Sequence, residues 1–261
     1  MALTQREKGE QFRRLHEGPA FVMANAWDGG SAQLLTALGF AALATSSGAA
    51  AATLGRRDGE LTRDQALAQA AIVARATELP VSADLEHGFG HSATDVMETI
   101  RLASELGLVG GSIEDATGDP EAPIFPFDVA VERIRAAVAA ARALKEPFVL
   151  TARSENFLRG RPDLDDTIRR LQAFEKAGAD VLFAPGLPDL AAVRSVCAAL
   201  KKPVSFMAGI KGKSFSVPEL EAAGVRRVSL AGSLYRAALA AVREAALEVK
   251  RDGTFGYLNR S

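Results

Sequence analysis

The sequence has a single cysteine, Cys197, among 261 residues, so no disulfide can form within the chain. It contains no apolar run of the roughly 20 residues that a transmembrane helix requires, and no apolar segment near its start that would suggest a signal peptide. Neither sign of charge dominates, because 31 lysines and arginines nearly balance 32 aspartates and glutamates. We therefore expect a cytoplasmic protein without nucleic-acid or membrane partners.

A glycine-rich phosphate-binding motif is also missing. The segment Gly88-Phe89-Gly90 lacks the third glycine and the position at a helix start that define a dinucleotide fingerprint. The sequence therefore gives little support to a nicotinamide cofactor.

Apolar residues are abundant, at 48% of the sequence, and they suffice for one large core, so we expect residues 1–261 to form a single domain. Short apolar runs of strand length alternate with longer amphipathic stretches. The predicted strands are 21–25, 41–45, 81–84, 108–113, 148–151, 181–184, 204–207 and 228–231. The predicted helices include 62–78, 93–106, 129–144, 165–176 and 187–200.

About eight strand-plus-helix units predict an α/β fold, a (β/α)8 barrel of the TIM type. A doubly wound open sheet would show a similar alternation, and the pattern alone does not exclude it. Residues 2–17 are predicted to form an additional N-terminal helix, and residues 251–261 a tail.

Charged residues stand at the predicted ends of three successive strands. Asp84 and Glu86 end the third strand, Glu114 the fourth and Arg153 the fifth. In a barrel the carboxyl ends of the strands form the active site. One such acid could be a helix cap, but several from neighbouring strands point to a shared site.

These carboxylates would repel one another and raise each other's pKa unless a cation lay among them. Asp84 and Glu86 are two residues apart on an extended segment, so both side chains leave the same face. Carboxylate oxygens suit a hard divalent cation, so we expect Mg²⁺, with Mn²⁺ as an alternative. Arg153 would then grip a substrate carboxylate with its planar guanidinium group.

The sequence resembles the isocitrate lyase and phosphoenolpyruvate mutase superfamily along nearly its whole length. The matching segments follow one another in the order and spacing of that superfamily. They are Asn25-Ala26-Trp27-Asp28, Thr45-Ser46-Ser47-Gly48, Asp58-Gly59-Glu60, 82–90 (Ser-Ala-Asp-Leu-Glu-His-Gly-Phe-Gly), 112–119 (Ser-Ile-Glu-Asp-Ala-Thr-Gly-Asp) and Thr151-Ala152-Arg153.

The resemblance implies a (β/α)8 barrel that assembles as a homotetramer or homodimer, with the last helix, residues 233–250, exchanged between paired subunits. It implies Asp84 as the direct metal ligand, which also serves the substrate site. It implies that the remaining acids bind the metal through water. These acids are Asp58, Glu86 and Glu114.

For the substrate, the resemblance implies that a 2-oxo acid carboxylate is held by the backbone around Ser46, Ser47, Gly48 and Ala49. Arg153 matches the substrate-binding arginine of the superfamily. We expect Arg153 and Glu114 to be the catalytic residues of a reaction through an enolate intermediate.

Residues 116–127 depart from the superfamily pattern. Isocitrate and methylisocitrate lyases carry a K-K-C-G-H-type segment there whose cysteine acts as general acid, whereas this segment has no cysteine, lysine or histidine. Its glycines and prolines suit a loop that closes over the substrate. Cys197 lies elsewhere, on a predicted helix, and is expected to be a small buried hydrophobe.

We therefore expect a Mg²⁺-dependent carbon–carbon lyase acting on a small 2-oxo (di)carboxylic acid. Decarboxylation of an oxaloacetate-like substrate is favoured, because it needs no cysteine acid. One alternative is a phosphonopyruvate-type hydrolase of a phosphorus–carbon bond, with Thr117 and Asp119 as weak candidates. Another is a 2-oxo acid binding protein with little catalysis.

Other polar residues have two interpretations each. His87 could be an acid or base within the acidic motif, but a non-catalytic role is favoured. Lys211 and Lys213 could reach a distal carboxylate or simply face solvent. Glu155 is expected to orient Arg153. We expect His16 on the surface and Asp28 as a helix cap. Trp27 could lie at the substrate mouth, at an interface or in the core. Met207 stands at a strand end where lyases have a polar residue.

Overall fold

The computed structural model describes residues 3–260, in which eight parallel strands close into a barrel. Each strand pairs with the next along the chain, and the first pairs with the last. This closure confirms the (β/α)8 barrel and excludes the doubly wound open sheet. The strands are β1 (Phe21–Asn25), β2 (Leu43–Ala44), β3 (Val81–Asp84), β4 (Gly110–Glu114), β5 (Val149–Arg153), β6 (Val181–Phe183), β7 (Val204–Met207) and β8 (Val225–Ser229).

Helices surround the barrel, and most begin at a side chain that accepts a backbone N–H, as Asp28, Thr62 and Ser92 do. They are α1 (Gln5–Leu15), α2 (Gly29–Ala37), α3 (Ser47–Thr53), α4 (Arg63–Arg75), α5 (Ala93–Glu105), α6 (Phe127–Ala143), α7 (Leu164–Ala177), α8 (Leu190–Ala198), α9 (Val217–Ala222) and α10 (Ser233–Asp252). A 3₁₀ turn, Gly256–Arg260, follows. The expected tail therefore contains the end of α10 and this turn, and residue 261 lies outside the described residues.

The position of the last strand was predicted wrongly. We expected residues 228–231, whereas β8 begins three residues earlier, at Val225. Two arginines, Arg226 and Arg227, interrupt the apolar run and hid the start of the strand. Arg227 nevertheless points inward, with only 3% of its surface exposed.

Helix α1 closes the amino-terminal end of the barrel, within the predicted range 2–17. Phe12 is fully buried and belongs to the apolar cluster that also contains Met23 and Val149 from the strands. A Cβ atom added to Gly110 would lie 2.8 Å from the Phe12 ring, so glycine is required where the ring meets β4. Because α1 covers the amino-terminal end, the carboxyl ends of the strands form the open end of the barrel.

His16, expected on the surface, is buried beneath the barrel with 7% of its area exposed. Its ring packs edge-on against Phe12 and Phe21, with ring centroids 4.9 and 5.1 Å away. The expectation failed because α1 folds under the barrel, so the residue that ends this helix faces the strands.

Helix α10 contrasts with the other long helices because none of its twenty residues is buried. Apolar side chains on it remain exposed, among them Leu239 and Val242 at 48% and 64%. None of the helices in residues 3–260 combines the length and apolar character needed to cross a bilayer.

Candidate active site

A cavity of about 380 Å³ opens at the carboxyl ends of the barrel strands. Its volume lies within the range of small-molecule sites. The structure places seven of the nine predicted site residues on its wall: Ser46, Ser47, Gly48, Ala49, Asp58, Asp84 and Arg153. The other two, Glu86 and Glu114, lie behind this wall.

Asp84 ends β3 and points into the cavity. One carboxylate oxygen, Oδ2, accepts a hydrogen bond from the backbone N–H of Ser47 at 3.3 Å. The other, Oδ1, lies 3.4 Å from Ser112 Oγ and 3.6 Å from Arg153 Nη1. Asp84 therefore joins the start of α3 to the residues at the ends of β4 and β5.

The start of α3 forms one wall of the cavity. Ser46 caps the helix by accepting the N–H of Ala49, while no residue in the described part of the chain accepts the N–H of Gly48. The Asp58 carboxylate packs against Gly48, and a Cβ atom added there would approach it to 3.3 Å. Burial of this carboxylate, together with the nearby charge of Asp84, raises the pKa of Asp58, although the residue as a whole lies in an exposed loop.

Arg153 ends β5 and lies among three carboxylates. Its guanidinium group donates to Glu155 and lies 3.4 Å from Glu114 and 3.6 Å from Asp84. Burial alone would lower the pKa of Arg153, but the charges of Glu155, Glu114 and Asp84 outweigh it and raise the pKa. The guanidinium group also lies over the ring of Phe183, 5.3 Å from its centroid. These contacts agree with the expectation that Glu155 orients Arg153.

Glu86 and Glu114 are buried beside the cavity. The backbone of Glu86 adopts a left-handed conformation, φ 49°, which costs roughly 1 kcal/mol or more in a residue with a side chain. Burial, with the charges of Asp84 and Asp58, raises the pKa of Glu86 to about 8. Burial also raises the pKa of Glu114 well above its ordinary value. Negative charge is therefore unfavourable here unless a further cation is present.

The balance of charge suits a divalent cation. The carboxylates of this cluster are Asp58, Asp84, Glu86, Glu114 and Glu155, and the arginines that contact them are Arg153 and Arg159. When ionised, the acids outnumber the arginines. No three His, Cys, Asp or Glu side chains between residues 3 and 260 already form a shared metal cage. The side chains present here are carboxylates, whose oxygens Mg²⁺ prefers as ligands, so the chemistry of this cluster fits that ion.

Arg159 was missed by sequence reasoning. It lies in the loop after β5 and reaches Glu114 Oε1 and Glu155 Oε2, each at 3.2 Å. Because Arg159 follows shortly after a strand that ends in Arg153, its place in the sequence could have marked it as a candidate site residue. Residues on the cavity wall to which the sequence analysis gave no role are Asn25, Ser112, Phe183, Arg227, Tyr235 and Arg236.

A buried ion pair beneath the site supports Glu155. Asp115 is 1% exposed, accepts the backbone N–H of Glu155 at 2.7 Å and pairs with Arg170 of α7 at 3.2 Å. Burial raises the pKa of Asp115 to about 6, against the opposing effect of these two contacts. Asp115, directly after Glu114, thus links the end of β4 to the segment after β5 and to α7.

The loop 116–127 does not lie over the cavity. Ala116 pairs with Ile124 in a short antiparallel bridge, and Ile124 and Phe125 are buried at its base. None of these residues contributes to the cavity wall. Thr117 Oγ1 donates to the carbonyl of Ala122 at 2.6 Å, and the N–H of Glu121 donates to Asp119. In this conformation, the expected lid is a folded loop beside the site.

Of the remaining candidates, only Met207 lies on the cavity wall. Burial and the charge of Arg133 lower the pKa of His87 to about 4, so its ring is neutral at neutral pH. Lys211 and Lys213 are absent from the cavity wall. Burial raises the pKa of Cys197 to about 11, which agrees with an inert, partly buried side chain. Met207 ends β7 on the cavity wall, and Trp27 packs edge-on against the cavity residue Tyr235, with ring centroids 5.4 Å apart.

Comparison with known proteins places the chain in a family. The family model described as phosphoenolpyruvate phosphomutase matches residues 12–250. The chain belongs to this family. An oxaloacetate decarboxylase from Paraburkholderia xenovorans (strain LB400) is 31% identical over 261 residues, which cover 96% of this chain and 84% of the relative.

Two solved structures extend the assignment. A Burkholderia cenocepacia J2315 protein described as a lyase/mutase is 53% identical, with a TM-score of 0.95 over 98% of this chain and 92% of that chain. The 2,3-dimethylmalate lyase, a member of the PEP mutase/isocitrate lyase superfamily, is 30% identical, with a TM-score of 0.87 over 95% and 89%. The resemblance inferred from the strand-end motifs is therefore confirmed, and the family member is an enzyme of the lyase and mutase type.

Proposed function

We propose that this family member is a Mg²⁺-dependent decarboxylase of oxaloacetate or a close 2-oxo diacid. The observation that carries the proposal is the position of Arg153. Its guanidinium group faces the same cavity as Asp84, and its Nη1 lies 3.6 Å from Asp84 Oδ1. A cation-binding carboxylate beside a fixed arginine suits a substrate that gains negative charge at its 2-oxo group. The similarity to an oxaloacetate decarboxylase supports this choice of substrate.

Asp84 would hold the metal directly, and Asp58, Glu86 and Glu114 would hold its waters. When bound, Mg²⁺ supplies Lewis-acid stabilisation of negative charge on the substrate oxygens. The N–H of Gly48, which has no acceptor among residues 3–260, would bind the substrate 1-carboxylate. Arg153, fixed by Glu155, stabilises the charge that develops on the 2-oxo oxygen.

In decarboxylation the bond between C3 and the C4 carboxylate breaks, and CO₂ leaves. The electron pair remains as an enolate, which takes a proton from water at C3 to give the 2-oxo monoacid. Water can reach C3 because the loop 116–127 leaves the cavity open. This route needs no cysteine acid, in keeping with the absence of cysteine from that loop.

The alternative of phosphorus–carbon bond hydrolysis has less support. Thr117 and Asp119 were its candidates, but their side chains hold the turn of the loop together and do not face the cavity. Release of inorganic phosphate from phosphonopyruvate in the presence of Mg²⁺ would favour this alternative over the decarboxylase.

The proposal is tested by assaying oxaloacetate loss above the metal-catalysed background with and without Mg²⁺. We expect turnover that requires Mg²⁺ and disappears in Asp84→Asn, because this change removes the charge that holds the ion. Asp64→Asn, on the exposed first turn of α4, is the matched control. Metal-independent turnover would refute the proposal, and calorimetric binding of 2-oxo acids without product would support the binding-protein alternative.

Assembly through α10 is a further part of the proposal. None of the residues of α10 is buried. The exposed apolar side chains along it include Leu239, Val242 and Val249. A second copy that exchanges this helix would cover these side chains. We propose a homodimer or homotetramer built in this way.

A further inference from the structure

Arg227 is a buried cation within the barrel and plays no part in the cluster around Arg153. It lies on β8, is 3% exposed, and forms part of the wall of the same cavity as Asp84. Its immediate contacts are three neutral groups from other elements. They are Ser205 Oγ at 3.1 Å from Nε, Thr151 Oγ1 at 2.9 Å from Nη2, and His16 Nε2 at 3.4 Å from Nη1.

These contacts leave hydrogen-bonding capacity unused. A guanidinium group carries five N–H donors, and three are accounted for. The remaining two, one on each terminal nitrogen of Arg227, have no acceptor among residues 3–260. Because buried donors are normally paired, they call for an acceptor that enters through the cavity.

The charge of Arg227 is also uncompensated. No Asp or Glu carboxylate in the described part of the chain forms an ion pair with it. His16 contributes no negative charge and stays neutral, because burial and Arg227 lower the pKa of His16 to about 3. Burial lowers the pKa of Arg227 to about 9, which leaves it mostly charged at neutral pH. A buried cation without a counter-charge is costly, and an anionic ligand would relieve that cost.

The strand register places this arginine across the barrel from the metal-binding acid. Asp84, Ser112 and Thr151 are register partners on β3, β4 and β5, and Arg227 donates to the last of them. Two strand spacings separate Asp84 from Thr151, roughly 10 Å around the sheet. Ser112 lies between them and also lines the cavity. Arg227, which reaches Thr151 from β8, and Asp84 on β3 thus face one cavity from different strands.

We propose that Arg227 forms a carboxylate subsite on the floor of the cavity and selects dianionic substrates over monoanionic ones. This inference rests on the proposed function. One end of the acid would be held at Asp84, Arg153 and the start of α3. The second carboxylate would extend down the barrel and accept the free N–H groups of Arg227.

The test compares stable acids that differ in one carboxylate. The pairs are malate with 2-hydroxybutyrate, and 2-oxoglutarate with 2-oxopentanoate, titrated calorimetrically in the presence of Mg²⁺. We expect the parent protein to bind the diacid of at least one pair more tightly. Arg227→Gln should reduce that preference about 10- to 100-fold, the range for charge-assisted hydrogen bonds, while monoacid affinity stays nearly unchanged.

Arg226→Gln is the matched control, because this neighbouring arginine faces the outer surface near Cys197 and is absent from the cavity wall. It should keep the parent preference. A folded Arg227→Gln protein that keeps the parent preference would overturn the inference, as would a parent protein that prefers neither diacid. If Arg227→Gln does not fold, Arg227→Lys takes its place, because lysine keeps the charge but lacks the planar guanidinium group. Arg227→Lys should weaken diacid binding selectively. An unchanged diacid preference in Arg227→Lys would also overturn the inference.

Measuring oxaloacetate turnover in the same preparations separates the two ideas. Mg²⁺-dependent turnover with an unchanged preference in Arg227→Gln would refute the carboxylate subsite alone. Diacid binding that depends on Arg227, without turnover, would refute the decarboxylase and leave the subsite standing.

Discussion

Replacement of His16 by glutamine should flatten the pH dependence of stability below pH 6.5. His16 Nε2 faces Arg227, which can only donate, so Nε2 accepts and the proton resides on Nδ1, 2.8 Å from the carbonyl of Phe12. A second proton on the ring would break the contact with Arg227 and place two positive charges together. Burial is the larger cause, and with Arg227 it lowers the pKa of His16 from 6.5 to about 3.

The sign and size of the effect follow from proton linkage. Between pH 6.5 and 3 the unfolded chain binds a proton at His16 that the folded protein does not. The stabilising contribution is therefore fully present above pH 6.5 and is lost as the pH falls. Because one pKa unit corresponds to about 1.4 kcal/mol, the free energy of unfolding should fall by about 2.5 kcal/mol from this residue between pH 7.5 and 4.5.

Urea unfolding of the parent protein and His16→Gln at pH 7.5 and 4.5 measures this effect. Glu86 and Asp115 act in the opposite direction, because burial raises their pKa values, but they are common to both proteins and cancel in the difference. Glutamine has no charge to gain and can still accept from Arg227. Replacement of the exposed His91 by glutamine is the control. If the free energies of unfolding of the parent protein and His16→Gln differ by the same amount at both pH values, the reasoning is wrong.

Two further predictions concern the active site and the assembly. Arg153→Lys keeps the charge but loses the planar fork, so 2-oxo acid binding should weaken by about 1.5–3 kcal/mol in calorimetry while Mg²⁺ binding stays nearly intact; equal loss of both would contradict a substrate role. Val242→Glu places a charge on the exposed face of α10, so light scattering should show a smaller assembly than that of the parent protein. The control Glu244→Gln, on the same helix, should leave the mass of the assembly unchanged. An unchanged mass for Val242→Glu would argue against assembly through α10.

The sequence by itself determined an α/β fold of about eight strand-plus-helix units and located charged residues at the strand ends, but it did not decide between a closed barrel and a doubly wound open sheet. Eight apolar runs separated by amphipathic stretches predict parallel strands that are covered by helices on their outer face. Asp84 and Arg153 could be located because they directly follow such runs, where a barrel places its active site. The strand-end motifs also gave the family. These features are local along the chain, so a single strand and its flanking residues reveal them.

Only the tertiary structure decided which side chains share the cavity and which lie behind it. Glu114 ends β4 as Asp84 ends β3, and Glu86 follows β3 by two residues, but neither acid lines the cavity. Glu86 has a left-handed backbone conformation, and Glu114 pairs with Arg153 and Arg159. Nothing local in the sequence marks Arg227 as buried, because charged residues seldom face a barrel interior. Its burial depends on hydroxyl groups from β5 and β7 and on His16 beneath the barrel, partners distant in sequence that meet only when the barrel closes.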